Sequence, residues 1–155
     1  MLGHALRPSQ LPRSRRCAPR REFAITWSLV ARVPLFAGLD ASAVAQIMTL
    51  LYSATYQEGD VIVRRGQPAD TMFIIAAGEV IVETDQGEVR LGEGEFFGEL
   101  ALLEHRPHQH RVTAASKCRC LVLDRADLER FGRRHPEITR RVHEVAKKRQ
   151  ADFSA

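Results

Sequence analysis

The chain has little with which to cross-link or to span. It carries three cysteines in 155 residues; an odd number gives no even disulfide framework, and Cys118-x-Cys120 lacks the second pair that a zinc site needs. A reducing, cytoplasmic setting follows, with Cys118 and Cys120 read as small packing residues on one face of a strand. Long hydrophobic runs are missing as well. The longest strongly apolar stretch, residues 72–77, falls far short of the roughly 20 residues that cross a bilayer, so this polypeptide is expected to hold no pore. A phosphate-binding P-loop is absent, and so is any Ser, His and acid constellation at a recognisable spacing. Glu99 alone makes no acid and base pair, so no enzymatic activity is expected.

Acidic residues are also lacking in one place. Residues 1–21 hold six Arg and no acid, residues 22–124 hold eight basic and fourteen acidic groups, and residues 125–155 hold nine basic and five acidic groups. The net charge of +4 is therefore a property of the ends, laid around an acidic centre. Residues 1–21, rich in Arg and Pro with little apolar periodicity, read as a disordered basic leader. An organelle transit peptide, a contact to nucleic acid or anionic lipid, and a start inside a longer sequence are other readings of it.

The centre is punctuated by glycine. Residues 56–82, YQEGDVIVRRGQPADTMFIIAAGEVIV, place short apolar runs between Gly59, Gly66 and Gly78. Asp85, Gln86 and Gly87 then supply a turn before a brief strand at 88–91, and Gly94 another. Strands this short, with turns every eight to twelve residues, suggest a sandwich or barrel, and the economical answer is an antiparallel jelly-roll barrel with flanking helices, a mainly β fold of the cupin-like double-stranded β-helix type.

Residues 96–114, FFGELALLEHRPHQHRVTA, carry the chemistry. Gly98 lets a backbone approach a ligand closely, the Glu99 carboxylate can accept from a sugar hydroxyl, and LALLE reads as one helical turn whose free N–H groups suit a phosphate. A glycine bend between two strands that happens to carry an acid is the plainer account of FFGEL taken alone.

Together, the spaced glycines, Asp70 before the apolar strand 72–75, and FGELALL followed by Pro107 resemble the cyclic-nucleotide-binding domain family. The pattern covers roughly residues 33–149. Residues 21–39, REFAITWSLVARVPLFAGL, look like the linker that enters this domain in bacterial cyclic-nucleotide-gated potassium channels. The resemblance implies cyclic AMP or cyclic GMP as ligand and no other cofactor. It implies phosphate contacts from Gly98 and the amides of Leu100 and Ala101, a ribose contact from Glu99, and a last helix that closes over the purine with Arg149 nearest the base. A solvated basic helix end is the competing account of Arg149.

One departure bears on activity. Where the family has an Arg after the proline, then a small or hydroxylated residue and Ala, this chain has His108, Gln109 and His110. A charge-assisted hydrogen bond contributes about 1.5 to 3 kcal/mol, so its loss implies binding weaker by roughly ten- to a hundred-fold. A protonated His108 would restore part of that at low pH, since imidazole titrates near about 6.5. Arg106 or Arg111 swinging in is the other rescue. His105, His108 and His110 also suggest the H-x-H pair of a jelly-roll metal site, but no acid follows in reach, and no metal is expected.

The remaining segments bracket the barrel. A helix is expected over residues 22–32, a tight connector at 33–39, and a helix capped by Asp40 with Val44, Ile47, Met48 and Leu51 inward. Asp124 is expected to cap a helix with Leu128 and Phe131 inward, interrupted at 132–135, before Pro136 opens a helix striped by Ile138, Val142 and Val145. The boundaries are thus a leader 1–21, a linker helix and connector 22–39, a binding domain 40–150 and a tail 151–155. With six residues left after Arg149, specific DNA binding through a helix-turn-helix is not expected. Expected partners are the cyclic nucleotide, a channel pore or other effector encoded elsewhere, and a second copy met through the N-terminal helix, where Trp27 and Leu29 lie. A degenerate domain serving as an interaction or assembly module is the second functional expectation.

Overall fold

Residues 72–77 do not alternate because both faces of their strand are covered. The computed structural model describes residues 25–99 and 105–153. Its strands are β1 (Tyr52–Tyr56), β2 (Val61–Val63), β3 (Thr71–Ala77), β4 (Val80–Thr84), β5 (Gly87–Leu91), β6 (Phe96–Phe97), β7 (Arg111–Ala114) and β8 (Cys118–Asp124). They form two four-stranded antiparallel sheets, in the orders β1-β8-β3-β6 and β2-β7-β4-β5. The expected jelly-roll is therefore present.

On β3, Phe73 and Ile75 face the other sheet with Val80, Val82, Val112 and the cysteines, while Met72 and Ile74 face the helices with Leu121 and Leu123 of β8. Successive side chains of a strand point to opposite faces, so a strand with two buried faces reads as a continuous apolar run. Each such side chain, fully buried, contributes about 1.5 to 3 kcal/mol. Cys118 and Cys120 lie on one inward face with sulfurs 3.7 Å apart and no disulfide. The β3–β4 turn requires glycine: Gly78 has φ +92, and a Cβ there would lie 2.3 Å from the Lys117 carbonyl oxygen.

The helices are α1 (Trp27–Ala31), α2 (Ala41–Leu50), α3 (Arg125–Arg134) and α4 (Pro136–Phe153), with a 3-10 turn at Pro34–Phe36. Asp40 caps α2 as expected, accepting from the Ala43 N–H at 2.8 Å, and Val44, Ile47 and Leu51 are buried. Three local expectations need correction. The first helix begins only at Trp27, because Thr26 is extended and its hydroxyl accepts from the Leu29 N–H at 3.1 Å; residues 22–24 lie outside the described residues. Asp124 stands before α3 without capping it through its side chain, since its carboxylate accepts instead from the Tyr52 hydroxyl at 3.1 Å. The break expected at 132–135 is confined to His135 (φ −130, ψ 75). Gly132 stays helical because α3 and α4 meet there: a Cβ would lie 2.2 Å from Thr139 Oγ1. The leader 1–21 and its Cys17 lie outside the described residues.

Candidate functional site

The turn after β6 is forced by the two strands beneath it. Gly98 has φ +91, a backbone conformation that L side chains rarely adopt, and a Cβ there would stand 3.1 Å from the Thr71 carbonyl oxygen and 3.6 Å from His108 Cε1. Pairing of Phe97 with Phe73 presses this turn against β3. The chain thus comes out of β6 with Glu99 pointing inward, only 2 % exposed. Leu100 and Ala101, with the rest of the helical turn expected at 100–104, lie outside the described residues.

Glu99 meets Arg149 of α4. Arg149 Nη1 donates to Glu99 Oε1 at 2.6 Å and to Oε2 at 2.9 Å, and also to the Phe96 carbonyl oxygen. Its guanidinium carbon lies 5.2 Å from the centre of the Phe96 ring, in cation–π range. Burial pushes the Glu99 carboxyl above its ordinary value of 4.5, while the Arg149 charge and hydrogen bonds pull it part of the way back. Arg149 is 8 % exposed, so the solvated helix end is overturned. A signal for this lay in the sequence: 138, 142 and 146 are buried positions of α4, and 149 is the next residue on that stripe. Phe96, which contributes both a carbonyl and a ring face, is the partner that sequence reasoning missed.

His108 is buried beside Gly98, tied by its backbone: its N–H donates to the Gln67 carbonyl at 2.9 Å, and its carbonyl accepts from Gly66 N–H at 2.8 Å. Gln109 is exposed, and its carbonyl accepts from Arg65 Nε at 2.9 Å. It shares with Arg65, Asp85, Arg106, His108 and His110 the lining of an open cavity of about 450 Å³. Arg111 points away on the outer face and pairs with Glu83 at 2.6 Å.

The three histidines separate. His105 lines a cleft between α3 and α4, His108 packs by Gly98, and His110 Nδ1 lies 3.2 Å from the Glu83 carbonyl oxygen. Burial lowers the His110 pKa below its usual value, only partly offset by that carbonyl. Among the described residues no group of three or more His, Cys, Asp or Glu is placed to hold a metal ion.

Two four-stranded sheets flanked by helices, with a glycine turn at the end of β6 held against the closing helix α4, define a jelly-roll domain. The family profile of the cyclic nucleotide-binding domain matches residues 53–135, and the chain belongs to that family. A provisionally named potassium channel protein of Rhodopseudomonas palustris is 45 % identical over 134 residues, which cover 84 % of this chain and 32 % of that protein. A cyclic nucleotide-gated potassium channel of Rhizobium etli is 37 % identical over 131 residues, covering 84 % of this chain and 37 % of that one. The chain therefore spans about a third of the length of these channel relatives. Among solved structures, one described as "Sp-2Cl-cAMPS bound to PKAR CBD2" superposes with a TM-score of 0.70 at 27 % identity, covering 81 % of this chain and 87 % of that one. No helix among the described residues is long and apolar enough to cross a membrane.

Proposed function

We infer that this chain is a cyclic-nucleotide sensor of the ion-channel type, which binds cyclic AMP or cyclic GMP between the Gly98 turn and α4 and reports occupancy through its helices. The observation that carries this reading is the meeting of Glu99 with Arg149, 50 residues apart in sequence. It joins the turn assigned to ribose and phosphate to the helix assigned to the lid. In this reading Gly98 with the amides of Leu100 and Ala101 holds the phosphate, His108 stands in the place of Arg, and Gln109 lies at the rim. A ribose hydroxyl arriving at Glu99 competes with Arg149 for the carboxylate. Ligand occupancy and the position of the α4 end are then one equilibrium, driven only by differential contact in the two states. Output passes through α1 to a channel pore or other effector, on the cytoplasmic side. Trp27, 45 % exposed on α1, is the side chain offered to that partner or to a second copy.

A second reading, a domain that no longer binds nucleotide and acts in assembly, is favoured by one observation: both Glu99 oxygens are already held by Arg149. Calorimetry with cyclic AMP and cyclic GMP at pH 6 and pH 7.5 separates the two. Saturable heat with either nucleotide is expected. No heat at millimolar nucleotide at either pH sinks the sensor and leaves the assembly role.

A further inference from the structure

The Glu99–Arg149 site uses one side of α4, and another side opens on a cleft that it does not explain. Residues 125, 128, 129, 132 and 133 recur at helical spacing along α3, and 136, 139, 140 and 143 along α4. The two faces enclose a cleft of about 740 Å³, within the range of small-molecule sites. Its floor is apolar, with Leu128 and Val142 buried. Its walls are cationic: among the described residues, Arg125, Arg133 and Arg140 stand against one carboxylate, Glu129, with His105 and His143 beside them.

The cations are poorly matched within the protein. Arg125 donates through Nη2 to the Ala69 carbonyl, but its Nε is buried with no acceptor. Arg140 approaches Glu144 only at 4.0 Å, with both side chains 68 % exposed. Arg133 has no ion-pair partner among the described residues. A buried N–H without an acceptor is rare in folded proteins, and here it adds uncancelled positive charge at the base of the cleft. An apolar floor under a rim with an excess of positive charge fits neither a neutral apolar molecule nor a free inorganic anion.

We propose that the α3–α4 cleft is a binding site for a small amphiphilic anion, a carboxylate or phosphate head on an apolar body. The head lies between Arg133 and Arg140, and the body rests on Leu128 and Val142. Closeness of α3 and α4 at Gly132 and Thr139 fixes the width of the cleft. The site is separate from the Gly98 turn, so it stands whether or not nucleotide binds there.

The test uses the full chain, with methyl spectra and calorimetry. Decanoate, dodecyl phosphate and decanol are titrated separately, and phosphatidylglycerol vesicles serve as the membrane arm. Saturable binding of decanoate or dodecyl phosphate, with shifts at the Leu128 and Val142 methyls, is expected, and excess cyclic AMP should not displace it. Arg133→Gln with Arg140→Gln, both at the surface, should weaken that binding at least ten-fold, and decanol should bind at least ten-fold more weakly. Equal binding of decanol, an unaffected double variant, or binding of neither anion overturns the proposal. So does attachment to vesicles without binding of either soluble anion, which would mark adsorption to a charged surface.

Discussion

At the scale of single residues, the decisive side chains are Glu99, Arg149 and His108. Removing one partner of a buried ion pair leaves the other uncompensated, which costs about 3 to 5 kcal/mol. Since Arg149 lies near the end of α4, that cost is best avoided by letting the helix end detach. Arg149→Met should therefore speed hydrogen exchange in the last turns of α4 while β3 and β8 keep their protection, and uniform loss of protection would refute the lock. Glu99 adds a dependence on pH. Its folded carboxyl is raised above 4.5 by burial, so between 4.5 and the raised value the folded chain binds a proton that the unfolded chain has released. The contribution of this group thus falls as pH rises through that window and is level above it. The Tm of the native chain relative to Glu99→Gln should decline from pH 4.5 upward and then flatten, and a difference that does not change with pH would contradict the raised value. On the proposed function, His108 stands where a guanidinium would pair with the phosphate, and that sets the size of the effect. His108→Arg should tighten cyclic-nucleotide binding by roughly ten- to a hundred-fold, read by calorimetry, and an unchanged titration would place the defect elsewhere in the turn. Glu99 and His108 were legible in FGEL and PHQH, and the inward position of Arg149 in the stripe of 138, 142 and 146, but the pairing of Glu99 with Arg149 was not, because 50 positions of chain say nothing of which buried side chains meet.

At the scale of elements, most strands could be located and some ends could not. Glycine punctuation located the β3–β4 turn and the brief β5, since a positive φ leaves few other residues admissible. Helix α2 was found with its cap, because Asp40 acts on its own next turn. The same local reasoning failed at Asp124, where the hydroxyl of Tyr52, 72 residues distant, takes the carboxylate. It failed again at Gly132, read as a breaker when it is a contact. That contact gives a prediction that belongs to the pair of helices. Gly132→Ala gains helix propensity but drives a methyl into Thr139, and should lower stability by about 1 to 3 kcal/mol in denaturant unfolding. In a Thr139→Ala background the same change should become neutral or stabilising, by up to about 1 kcal/mol. Equal losses in both backgrounds would mean that the helices do not meet at Gly132.

At the scale of the whole molecule, the domain is a sandwich with one face covered by helices, and both proposed ligands lie along α4. The nucleotide reading places the ligand between the Gly98 turn and one side of α4, and the amphiphile reading places a second ligand along another side of the same helix. Calorimetry in which cyclic nucleotide and decanoate fail to compete is the expected joint outcome. The sequence by itself determined the fold class, the family and the turn that carries the candidate site, with His108 following Pro107, because backbone geometry and motif chemistry act over a few neighbouring residues. Tertiary structure alone decided that Arg149 is buried on Glu99 and Phe96, that three neighbouring histidines go three ways, and that α3 and α4 enclose a cationic cleft. Those facts depend on which surfaces fold together, and burial turns an ordinary acid and an ordinary base into a lock only once water has been removed from both.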